Sequence, residues 1–115
     1  MARKNLNWTM KQGTYEPQTL TFESAPGVPI DVSGYTFSGM GRRDPEDAMK
    51  AFDLAFDMTN AVTGEVIMYV DEAVSSALDL TLGDTFKYDA EYINADGRTI
   101  EACYGQIKMI REITR

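Results

Sequence analysis

The chain has 115 residues, of which 43% are hydrophobic, 25% charged and 10% aromatic; this is the composition of one folded domain, 1–115, and it excludes wholesale disorder, collagen-like repeats and a disulfide-stapled miniprotein. Eleven lysines and arginines against 18 acids leave a formal charge of −7, which argues against nucleic acid as a partner, because phosphate neutralisation needs clustered bases. Histidine is absent, which removes the commonest general base, the commonest zinc ligand and any Ser-His or Cys-His arrangement.

The first residues, Met1-Ala2-Arg3-Lys4-Asn5, are basic but lead into Leu6, Asn7, Trp8 and Thr9 rather than an apolar run, so no secretory leader is expected. Gln18 to Glu23 places Leu20 and Phe22 on one face and Thr19, Thr21 and Glu23 on the other, the two-residue period of a half-buried strand. Pro26-Gly27, Pro29 and Gly34 then predict a turn and a short edge-like stretch around Ile30 and Val32. A strand restarts at Tyr35 to Met40, with Tyr35 and Phe37 sharing a face. Asp44-Pro45-Glu46-Asp47-Ala48-Met49 combines a capping aspartate, a proline at the first helical position and two early acids, which predicts one helical turn in a loop insertion.

Lys50 to Asp57 alternates Phe52, Leu54 and Phe56 with Asp53 and Asp57, the signature of one strand. A turn over 60–64 leads into an aliphatic strand from Glu65 to Val70, and no apolar run in the chain reaches the roughly 20 residues of a membrane span. Asp71 caps a short helix whose Val74, Ala77 and Leu78 lie at helical spacing and are expected to plug one end of the core. Thr85 to Tyr92 alternates Phe86, Tyr88, Ala90 and Tyr92 with Lys87, Asp89 and Glu91, the strongest strand pattern in the chain. Asn94-Ala95-Asp96-Gly97 reads as a turn with Gly97 at positive φ. The last strand runs from Arg98 towards Ile113, and its inward parity changes near Gly105, which predicts a bulge or bend. Cys103, the single cysteine, reads as a small buried apolar residue, so no intrachain disulfide forms.

About seven strands with one or two short helical crossovers predict an all-β fold, an Ig-like β-sandwich, without the Cys, Trp, Cys framework of antibody domains. The acids Asp44, Glu46, Asp47, Asp53 and Asp57 are explained by helix-end electrostatics and a solvated strand face rather than by a metal site or a glycosidase pair. Neither cofactor nor metal is expected. Charge divides along the chain: residues 44–101 hold 14 acids and 3 bases, whereas 1–43 and 102–115 each carry a net +2. Opposite-sign regions suit head-to-tail contacts between subunits, and Arg42, Arg43, Lys108, Arg111 and Arg115 are the candidate contact residues.

Several phrases in order, Asn7-Trp8-Thr9-Met10-Lys11-Gln12-Gly13, Pro29 to Phe37, Leu82-Gly83-Asp84-Thr85-Phe86-Lys87-Tyr88-Asp89, and Asp96-Gly97-Arg98 leading to Gly105-Gln106-Ile107 and Glu112-Ile113-Thr114-Arg115, resemble a family of small tailed-bacteriophage virion proteins, similar to the N-terminal domain of the baseplate upper protein. The insertion over 41–47 departs from that family's compact link. The resemblance implies an Ig-like sandwich that attaches to other virion proteins and to copies of itself, is not an enzyme, and is located in the virion, which is assembled in the host cytoplasm. A tail, baseplate or fibre-attachment module is the expectation; a head decoration or head-to-tail connector is the alternative, and a small carbohydrate-binding or hydrolytic sandwich the third reading.

Overall fold

The computed structural model describes residues 4–44 and 49–111, so the helical turn expected over 44–49 and the end of the last strand fall largely outside the described residues. Among the described residues the strands are β1 (Lys4–Asn5), β2 (Trp8–Lys11), β3 (Gln18–Thr21), β4 (Glu23–Ala25), β5 (Val28–Pro29), β6 (Thr36–Arg42), β7 (Phe52–Asp53), β8 (Ala55–Asp57), β9 (Glu65–Tyr69), β10 (Thr85–Ile93) and β11 (Thr99–Ile110), with one α-helix, α1 (Glu72–Ser76), and two 3₁₀ turns, Ala61–Thr63 and Leu80–Leu82. The larger sheet runs β1-β11-β10-β6-β7, with β2 also on β11; the smaller runs β3-β9-β8, and β4 and β5 form a separate hairpin. Buried residues of both sheets, Phe86, Ile107 and Met109 from one and Leu20, Val66 and Met68 from the other, make one core. The fold is an all-β, Ig-like sandwich.

Alternation decides which side chains enter that core. In β10, Phe86, Tyr88, Ala90 and Tyr92 are buried while Lys87, Asp89 and Glu91 are exposed, as the sequence predicts. Tyr35 and Phe37 likewise turn inward, where Phe22, Phe37 and Tyr92 pack ring against ring at 5.4–5.6 Å. Gly97 takes φ 78° in its turn.

Five details differ from what the sequence predicts. The stretch 4–11 forms two strands not predicted from the sequence: β1 is polar and exposed, and β2 is four residues long with Met10 buried. The residues after Pro26-Gly27 form the hairpin partner Val28–Pro29, while Ile30 and Val32 lie outside any strand, tied by Ile30 N–H to Phe22 O and Val32 N–H to Ala61 O. The single strand expected over 50–57 is divided: β7 pairs with β6 in the larger sheet and β8 with β9 in the smaller, the chain crossing at Leu54. Gly41 makes the crossing possible, since a Cβ there would collide with the Phe52 ring.

The fourth difference is helix α1. Val74 and Ala77 are exposed, the residue the helix buries is Ser75, and of the three expected residues Leu78, just past the helix, does pack against the core. The helix is held by polar bonds: buried Gln12 donates from Nε2 to Ser75 O at 2.9 Å and Leu78 O at 2.8 Å, and Gly13 N–H donates to Ser75 Oγ at 2.9 Å. Fifth, the parity change in β11 comes at Ala102 rather than Gly105. Ala90 faces Cys103 while Glu91 faces Glu101, so Ala102 is the extra residue of a bulge. Gly105 serves a different contact, because Leu6 O approaches it so closely that a Cβ could not fit. That carbonyl accepts from Tyr88 Oη at 2.5 Å, and Asn7 Oδ1 takes the Gln106 N–H at 2.8 Å in the gap between β1 and β2.

Replacing Phe86, fully buried, with Ala should destabilise the fold by about 3–5 kcal/mol, whereas Lys87→Ala should stay within about 0.5 kcal/mol, both read from denaturant melts. Equal effects would contradict the strand parity. Tyr88→Phe strands the Leu6 carbonyl beneath the sheet edge and should cost about 1–2 kcal/mol in the same measurement.

Candidate functional surface: the outer face of the larger sheet

Because β2, β11, β10 and β6 lie side by side in fixed register, their outward residues form rows across the sheet. Lys11 stands beside Ile110; the next row is Thr9, Lys108 and Thr85, then Gln106, Lys87 and Arg42. Beyond these come Tyr104, Asp89 and Met40, then Glu101, Glu91 and Ser38. The face is thus divided across the middle. One half carries Lys11, Lys108, Lys87 and Arg42, and the other Asp89, Glu91 and Glu101. At the boundary lies an open hollow of about 320 Å³ lined by Met40, Arg42, Lys87, Asp89, Glu101 and Tyr104. Its floor is part apolar: Met40 and Tyr104 are half-buried, and Arg42 Nη2 reaches Met40 Sδ at 3.0 Å.

A second open hollow, about 360 Å³, lies at the end of the sandwich between the 79–84 loop and the end of β11, lined by Leu80, Thr81, Asp84, Lys108, Ile110 and Arg111. Asp79 organises this loop. Its Oδ1 accepts from Thr81 N at 3.0 Å and Thr81 Oγ1 at 2.6 Å, which holds the carboxyl below its usual range, with Arg43 and Arg111 adding to the effect. Arg43 clamps the loop from the other side: Nη2 donates to Asp79 O at 2.7 Å, Nε to Gly83 O at 3.3 Å, and the guanidinium lies 5.0 Å from the centre of the Phe86 ring.

The candidate contact residues therefore separate. Arg42 and Lys108 share the outer face, Lys108 and Arg111 share the end hollow, and Arg43 is committed to its own chain; Arg115 lies outside the described residues. Lys11, Lys87, Asp89, Glu91, Glu101, Tyr104 and Met40 are not singled out as contact residues by the sequence. Strand parity does put Lys87, Asp89 and Glu91 on an outer face, but their neighbours follow only from the register of β6, β10 and β11.

The acids also find local roles. Asp53 pairs with Lys50 Nζ at 2.9 Å, and Asp57 accepts from Thr59 N and Oγ1 at 2.9 and 2.6 Å. Asp31 does the same with Ser33, at 2.9 and 2.6 Å. Among the described residues no three Cys, Asp or Glu side chains stand together as a cation-binding group. Cys103 is fully buried, and that burial pushes its thiol up.

No protein-family model matches this sequence, and no curated protein matches it. Among solved structures, an SrpA adhesin mutant from Streptococcus sanguinis is similar at TM-score 0.51 and 12% identity over 91% of this chain and 55% of that one. This chain thus spans about half the length of the adhesin chain it matches. Murine CRIg follows at TM-score 0.43 and 11% identity over 92% of each chain, and an internalin-like protein of Listeria monocytogenes at 0.45 and 16% over 96% of this chain and 29% of that one. At such identities the likeness to the adhesin is one of fold.

Arg43→Ser removes two hydrogen bonds and the cover of Phe86, and should lower stability by about 1–2 kcal/mol. Lys108→Ser, on the exposed outer face, should leave the melting temperature unchanged. Scanning calorimetry of the two variants separates the clamp from the surface charge.

Proposed function

We propose that the chain is a non-enzymatic structural module of a tailed-phage particle, in its tail, baseplate or fibre attachment, and that it works by contact between protein surfaces. The observation that carries the contact reading is the outer face of the larger sheet, where bases, acids and a part-apolar centre of Met40 and Tyr104 occupy one broad surface. Met, Tyr and Arg are the residue types enriched where proteins meet, and fixed charges around them set partner and orientation. The placement in a phage particle is supported by the order of turn and core phrases that resembles the baseplate upper protein family.

Mass spectrometry of purified particles should find the chain in fixed ratio to the tail components. Arg42→Glu reverses a charge at the centre of the face, and such a variant should fold normally yet accumulate outside the particle. Absence of the native chain from purified particles would overturn the virion placement. Full incorporation of the variant would overturn the role of this face.

A further inference from the structure

From the charge rows on the outer face we infer that the partner of this face is a second copy of the chain, docked sheet against sheet about a two-fold axis that lies in the interface and runs across the strands. The inference rests on the reading that the chain works through protein contacts, and it names the partner.

A face can pair with itself only if rotation brings unlike features together. Here the charge changes sign along the strands, between the row of Gln106, Lys87 and Arg42 and the row of Tyr104, Asp89 and Met40. An axis lying between those rows and crossing the strands turns one half of the face onto the other. It keeps β10 over β10 and β11 over β11, so Lys87 comes opposite the partner's Asp89 and Lys108 opposite the partner's Glu101. Gln106 meets the partner's Tyr104, and Arg42 meets the partner's Met40, which packs the part-apolar centre about the axis. Every pairing is made twice.

An axis along the strands would set Lys87 and Arg42 against their own row in the partner, base upon base, and like charges so placed oppose docking. Facing sheets stand about 10 Å apart, a gap that Lys and Asp or Glu side chains bridge together. The four strands give a face of about 600 Å² in each copy at ordinary strand spacing, so the pair buries on the order of 1,200 Å², the lower end of stable interfaces. The dimer is therefore reversible and sensitive to salt.

The test is sedimentation equilibrium of the 115-residue chain over a wide concentration range, at low and at high salt, with the variants Lys87→Glu and Asp89→Lys. Both side chains are exposed, so the variants stay folded, which circular dichroism melts verify. The native chain should approach twice the monomer mass and no more, with a Kd that rises in high salt. Lys87→Glu sets an acid against the partner's Asp89 at both contacts, and Asp89→Lys sets a base against the partner's Lys87; each alone should raise Kd by about tenfold or more. A mixture of the two variants should dimerise again, one copy of each, because both contacts across the axis become unlike. A native chain that stays monomeric, mass growing beyond the dimer, single variants that dimerise like the native chain, or a mixture that stays monomeric would each overturn the arrangement. A monomer that still enters particles removes the dimer and leaves the proposed function standing, whereas a dimer of a chain absent from particles does the reverse.

Discussion

One extra residue in β11 decides which of that strand's side chains reach the outer face of the larger sheet. Up to Ala102 the inward residues are Ile100 and Ala102; after the bulge they are Cys103, Ile107 and Met109. Continued without the bulge, the same strand would drive Tyr104, Gln106 and Lys108 under the sheet and lift Cys103, Ile107 and Met109 into water. Burying an unpaired lysine costs several kcal/mol, and exposing three apolar side chains adds to that, so the slip of register is fixed from both sides of the sheet. The share of the face that β11 supplies, Tyr104, Gln106 and Lys108, therefore owes its outward aim to the extra residue Ala102.

The same strand anchors the start of the chain. β1 and β2 hold one common register along β11, interrupted at Leu6 and Asn7. There the Leu6 carbonyl turns inward to the Tyr88 hydroxyl, and an asparagine side chain supplies an acceptor to the strand beside it. Three conditions meet at that point: a glycine at 105 to admit the carbonyl, a buried tyrosine to satisfy it, and an amide oxygen to take the Gln106 N–H. An edge strand closed in this way offers fewer open backbone groups for unplanned pairing. Around α1 polar and apolar contacts work together: Gln12 donates to the Ser75 and Leu78 carbonyls as the helix ends, while Leu78 and Leu80 pack against the core.

Legibility in the sequence follows the range of the interaction. β10 and the segment 18–23 are readable because alternation is a property of consecutive residues, and the cap at Asp71 is readable for the same reason. The division at Leu54 is not, because Phe52, Leu54 and Phe56 keep one alternation while changing sheets, and only the pairing partners show the crossing. At α1 the apolar spacing is right for Leu78, which packs against the core, but not for Val74 and Ala77; the buried residue is Ser75, whose carbonyl is bound by Gln12, 63 residues away. Arg42 and Arg43 are neighbours in sequence with different fates: strand parity sends one to the outer face, and the other folds over Phe86. The candidate face itself spans segments separated by whole strands, so its charge rows exist in the sequence only as an excess of acids over 44–101 and of bases on either side.

The groups whose ionisation the fold disturbs bear on how such a face acts. Burial raises Tyr88, Tyr92 and Cys103, all inside the sandwich, and so favours their neutral forms. Hydrogen bonds from Ser33, Thr59 and Thr81 lower Asp31, Asp57 and Asp79, whose carboxylates hold turns. A general acid or base needs a group tuned towards neutral pH and open to a ligand, and these two sets are tuned away from it. Under the proposed function, what the outer face offers a partner is a fixed order of charge along paired strands. Such a geometry is read best by a surface of matching pitch, and β-strands keep the same spacing in every sheet. A second sheet face, with charges in the reverse order, meets that requirement with no change in either backbone.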